Sequence, residues 1–142
     1  MGLTLKSKGS QIDLTGGYGM FMRIRQAIAK AWDKEFSEHY AKLNTIWKIE
    51  DFDEFDKRTN EILKNDRFKN EDKDLVEFLF ASDCEGKCSY KTCKKIYELI
   101  KNVGDIGKLR YVTYLNTKEN DWEDFKQLLL DCYSHRANLT WC

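Results

Sequence analysis

From Phe21 onward, apolar side chains recur every three or four residues and no proline interrupts them. A chain patterned this way builds amphipathic helices, because residues three and four apart share one helical face and bury together. Phe21, Ile24, Ile28 and Trp32 set the first stripe, which predicts a helix from Tyr18 to Trp32. Ser37 is a suitable N-cap for a second, with Tyr40, Leu43 and Trp47 on its apolar side, Ile46 beside them, and an end near Ile49. Asp51 opens a third, in which Phe52, Phe55, Ile62 and Leu63 form the apolar side and the acidic first turn complements the helix dipole. Asn65-Asp66 ends it, and Arg67 to Asn70 reads as a linking turn.

Glu71 to Ala81 is acidic at its start and apolar at its end, as a buried helix would be. Ser89 caps the next, whose stripe is Tyr90, Cys93, Ile96, Tyr97 and Ile100 and whose end lies at Gly104 and Gly107. Asn120 is a good N-cap for a last helix carrying Trp122, Phe125, Leu128, Leu129 and Cys132. Leu109 to Leu115 fits strand and helix equally. Leu3, Leu5, Ile12 and Leu14 alternate with polar residues around Lys8-Gly9-Ser10, the pattern of a β-hairpin, and Leu139-Thr140-Trp141 is a candidate strand beside it. The fold class expected is mainly α: a single compact domain over residues 1–142, with about five or six helices and a small sheet from the N-terminal hairpin and the C-terminal strand.

Lysine plus arginine and aspartate plus glutamate both total 24. The broad positive field of a nucleic-acid binder is therefore missing, which argues against a nucleic-acid partner. Apolar runs such as Val76 to Ala81, broken by Glu77, are far shorter than the roughly 18 to 20 residues a bilayer crossing needs, so no membrane partner is expected. The N-terminal residues show no apolar leader or cleavage signal, and the cysteine count is odd, at five. Both point to a cytoplasmic chain with reduced thiols.

Several segments invite a chemical reading. Phe80 to Ser89 lies between two expected helices and is EF-hand-like, with Gly86 at the sixth loop position and Asp83 and Glu85 at the third and fifth. Ala81 and Thr92 then occupy the first and twelfth, where calcium needs carboxylates, so a structural turn is expected and no metal ligand is assigned. Cys84, Cys88 and Cys93, with Cys132 or His135, lack the paired spacing of a zinc site, and Cys93 falls on an apolar stripe as a small hydrophobe. His39 and His135 have no neighbouring nucleophile to serve, so no catalytic residue is assigned. Glu50-Asp51-Phe52-Asp53-Glu54-Phe55-Asp56 reads as a solvated helix start.

Gly16-Gly17-Tyr18-Gly19 opens the first helix, where backbone amides and the positive dipole end favour an anion. Arg23 and Arg25 follow within two turns, and an arginine fork suits phosphate or carboxylate. Tyr18 can stack on a ring, so Tyr18, Arg23 and Arg25 are the candidate ligand-binding residues, for a nucleotide-like anion. The competing expectation is that Arg25 is half buried and paired internally, holding its helix against the acidic one.

Gly17-Tyr18-Gly19-Met20-Phe21 leading to Arg23, Arg25 and Ile28-Ala29, followed by Phe78-Leu79-Phe80-Ala81-Ser82-Asp83-Cys84-Glu85-Gly86, resembles a loosely defined group of small uncharacterised proteins. They come from Gram-positive bacteria, their prophages and phages. The likeness extends through the Ser89 to Ile100 and Trp122 to Cys132 helices. Related proteins favour an aliphatic residue after the Glu-Gly turn, where this chain has Cys88. The resemblance implies a context and assigns no catalytic residue or cofactor. The expected function is non-enzymatic binding, phage-encoded by that resemblance, either of a host protein or of a small anionic ligand. The alternatives are an enzyme of unidentified type acting on a small molecule and a degenerate EF-hand-like metal module.

Overall fold

In the computed structural model, residues 3–14, 18–104, 106 and 121–142 are described, the side chain of Asn44 excepted. The ambiguous segment Leu109 to Leu115, Gly16-Gly17 and the expected cap Asn120 lie outside them. The helices are α1 (Tyr18–Trp32), α2 (Lys34–Tyr40), a 3-10 helix (Ala41–Lys48), α3 (Phe52–Ile62), α4 (Asp66–Lys69), α5 (Lys73–Phe80), α6 (Tyr90–Ile100) and α7 (Asp121–His135). The strands are β1 (Leu3–Lys6), β2 (Gln11–Leu14), β3 (Gly86–Cys88) and β4 (Leu139–Trp141). The fold is mainly α with a small antiparallel sheet, as the periodicity leads one to expect.

The sheet runs β2-β1-β4-β3. Leu5 sits opposite both Ile12 and Trp141, so the C-terminal strand joins the N-terminal hairpin as expected. The unexpected member is β3, because the EF-hand-like loop contributes Gly86, Lys87 and Cys88 opposite Trp141, Thr140 and Leu139. Alternation buries Leu3 and Leu5 on one face of β1, and Leu139 and Trp141 on the same side of β4.

Helical spacing sorts the core as anticipated. α1 buries Phe21, Ile24, Ile28 and Ala29; α6 buries Cys93, Ile96 and Ile100; α7 buries Trp122, Phe125, Leu128, Leu129 and Cys132. α6 packs chiefly on α7. Asp51 and Ser89 cap α3 and α6 by accepting from the amides of Glu54 at 3.1 Å and Thr92 at 3.3 Å.

Three boundaries differ from the sequence expectation. The cap of α2 is Asp33, which accepts from the Phe36 amide at 2.9 Å, while Ser37 lies inside the helix and bonds the Lys34 carbonyl. Asp33 follows Trp32 directly, so the stripe of α1 hides it. The second helix does not continue to Ile49 as α-helix: it tightens to a 3-10 helix after Tyr40, and Thr45 leaves helical geometry at φ −127°, ψ 50°. Arg67 to Asn70 is not merely a turn, because Asn65 caps the short α4 there.

Candidate functional site

The three residues expected to meet a ligand do not converge. Arg25 points inward and is only 3% exposed. Its guanidinium lies 4.2 Å above the Phe21 ring and donates to the carbonyls of Ala81 at 2.9 Å and Ser82 at 3.3 Å. Burial holds its pKa below the ordinary arginine range. Beside it the Tyr40 hydroxyl donates to the Leu79 carbonyl at 2.7 Å, and burial pushes its pKa up to about 12. Arg25 is thus internally bonded, to backbone carbonyls rather than to the acidic helix.

Tyr18 is half-buried, and desolvation and the neighbouring Cys84 thiol raise its hydroxyl above the usual tyrosine range. Arg23 is exposed on another side of α1. With Gln26, Ala27, Lys30, Val103 and Ile106 it lines a groove of about 660 Å³.

Three of the cysteines form a buried group that spacing alone does not reveal. The Cys88 and Cys93 sulfurs are 3.9 Å apart, and Cys93 also bonds Cys132 from α7. The bond to Cys132 favours the Cys93 thiolate, but the bond to Cys88 and burial outweigh it and raise the pKa. Cys132 is raised by its bond to Cys93 and by burial. All three side chains lie within the hydrophobic core, where they pack as small apolar groups. Among the described residues no group of three His, Cys, Asp or Glu is arranged to hold a metal ion.

The histidines are occupied structurally. His135 bonds the Asp131 carbonyl at 2.9 Å, while the neighbouring Cys132 faces the core, so the two form no dyad. His39 stacks on Phe55, 4.3 Å between ring centres, and its Nε2 lies 2.6 Å from the Thr59 hydroxyl. That hydroxyl donates to the Phe55 carbonyl at 3.0 Å, so its oxygen accepts from His39 Nε2–H. Nδ1 is then left buried without a partner. This clamp and the Arg58–Glu35 pair at 2.8 Å hold α3, whose only buried residue is Ile62.

The surface feature that stands out lies where the 3-10 helix meets α3. Trp47 is 76% exposed, Phe52 52% and Ile46 49%. By contrast Trp122 and Trp141 are buried and Trp32 is half-buried with its Nε1 bonded to Asp72. The sequence stripe places Trp47 and Phe52 on core faces, and the structure corrects both. With three residues per turn, the 3-10 helix rotates Trp47 off the line through Tyr40 and Leu43, and the break at Thr45 ends that line. The one signal available beforehand is that Ile46, Trp47 and Phe52 lie beside or within a run of acidic residues.

Among the described residues no helix is long and apolar enough to cross a membrane. Comparison of the chain with protein-family profiles, curated proteins and solved structures finds no match.

Proposed function

We propose that this chain is a non-enzymatic binding protein that acts by occupying a protein partner, with Ile46, Trp47 and Phe52 as its docking surface. The observation that carries this reading is the exposure of Trp47 and Phe52 within six residues of chain. Exposed large apolar groups clustered at one place mark interaction sites, and aromatic anchors contribute much of the binding energy at protein interfaces. The resemblance to phage and Gram-positive proteins makes a host protein the natural partner class. Both histidines are held by structural partners, which favours binding over acid–base catalysis. The test is affinity capture from host lysate with the parent chain and a Trp47→Ala/Phe52→Ala variant of matched helicity. A protein retained by the parent and lost from the variant is expected; equal retention by both would overturn the reading.

One observation favours a small anionic ligand as the second reading. Arg23 and Lys30 flank the α1 groove, and neither takes part in an ion pair among the described residues. A ligand there would use Arg23 without Tyr18 or Arg25.

A further inference from the structure

We infer that the partner segment seated on Ile46, Trp47 and Phe52 is cationic: a lysine- or arginine-bearing amphipathic peptide whose apolar face covers the exposed rings. The inference rests on the docking reading above and adds the partner's chemistry.

The chain as a whole is neutral, yet Glu50, Asp51, Asp53, Glu54 and Asp56 place five carboxylates in seven residues with no intervening base. Several acids elsewhere are paired, among them Asp33 with Arg67, Asp74 with Lys95 and Glu35 with Arg58. None of these five takes part in an ion pair among the described residues, although Lys48 and Lys57 bracket the run. Helix stability accounts for part of the run. Asp51 is the cap, and Asp53 and Glu54 sit in the first turn, where the dipole favours them. It does not account for Glu50, which precedes the cap, or for Asp56, which lies beyond the first turn.

From Ile46 to Lys57 the chain sets five carboxylates against two lysines, Lys48 and Lys57, so a surplus of three negative charges flanks the apolar side chains. A cationic segment relieves the mutual repulsion of these carboxylates, and the same field steers it to the surface. Anionic lipid headgroups and nucleic-acid phosphates meet repulsion at this face, and a second copy of this chain would set acid against acid.

The experiment titrates the intact chain with a synthetic amphipathic peptide of roughly five helical turns, leucine on one face and lysine on the other. A control peptide carries glutamate in place of lysine. NMR of the Trp47 indole and calorimetry supply the readouts. The lysine peptide is expected to bind saturably at Trp47 and to weaken about tenfold or more when salt rises from about 50 to about 500 mM. The glutamate peptide should not bind. Trp47→Ala/Phe52→Ala, unchanged in charge, should lose about tenfold or more in affinity, and Glu50→Gln/Asp53→Asn/Asp56→Asn should slow association by a similar factor.

Salt-insensitive binding, equal binding of the glutamate peptide, or no binding of the lysine peptide would overturn the charge inference. If the charge variant fails to fold, the salt series on the unaltered chain decides. A lysate partner that depends on Trp47 but shows no salt dependence defeats only the charge inference, whereas a partner indifferent to Trp47→Ala/Phe52→Ala defeats the docking reading itself.

Discussion

Arg25 and Trp141, at opposite ends of the chain, donate to the same acceptor: the Ser82 carbonyl receives the Trp141 indole N–H at 2.9 Å and the Arg25 guanidinium at 3.3 Å. Phe21 and Phe78 pack against the same indole, with ring centres 5.3 and 5.7 Å away. The turn after α5 is thereby pinned between α1 and the C-terminal strand, so Arg25 belongs to the architecture.

Arg25→Gln should lower stability by about 2 kcal/mol, because it takes the donor from the Ala81 carbonyl, leaves Ser82 with the Trp141 indole alone and removes a buried cation held over the Phe21 ring. Arg23→Gln, at an exposed site, should shift stability by less than about 0.5 kcal/mol. Chemical denaturation of the two variants checks this; equal, small effects would contradict the assignment of Arg25.

Gly86 faces the same indole. A Cβ there would lie 2.6 Å from Trp141 Cε2, and the ring, buried and bonded through Nε1, has no room to withdraw. Gly86→Ala should cost about 3 kcal/mol and loosen the β3–β4 pairing, seen as faster amide exchange across residues 86–88 and 139–141. A neutral substitution would refute this packing.

The His39 clamp makes the docking of α3 sensitive to pH. Burial, together with the nearby Lys42 and Arg58 charges, holds the His39 pKa below its ordinary value, with Glu35 paired to Arg58 on the same side. The folded state thus resists a proton that the unfolded state accepts near pH 6.5, so stability is full above that value and falls as pH drops below it. The thermal midpoint should decline from pH 7 toward pH 5 more steeply in the parent than in His39→Gln. Identical slopes would rule the clamp out.

Thiol labelling should divide the cysteines. Cys84 and Cys142 are exposed and Cys88, Cys93 and Cys132 buried. Two thiols per chain should react rapidly with a disulfide reagent, and the other three only on unfolding. Fast modification of Cys93 would contradict the protonated, enclosed cluster.

The sequence discloses the helices and most of the core because those follow from local spacing: Phe21, Ile24 and Ile28 read directly as one face, and Ser89 as a cap. It withholds what depends on distant partners. Gly86–Cys88 becomes a strand because β4 lies beside it, and Arg25 turns inward because the Ala81 and Ser82 carbonyls need donors. Cys88, Cys93 and Cys132 meet only when β3, α6 and α7 are assembled. The exposed surface at Ile46, Trp47 and Phe52 is the least legible, since a change from 3.6 to three residues per turn moves Trp47 from a core position to solvent without altering the composition of the segment.

Backbone amide exchange of the free and partner-bound chain tests the proposed docking surface most directly. Slowed exchange confined to the segment from Ile46 to Asp56 is the result expected when a partner covers Trp47 and Phe52. Protection that leaves this segment unchanged and falls instead on α1 around Arg23 to Ala31 would contradict it and move the site to the groove.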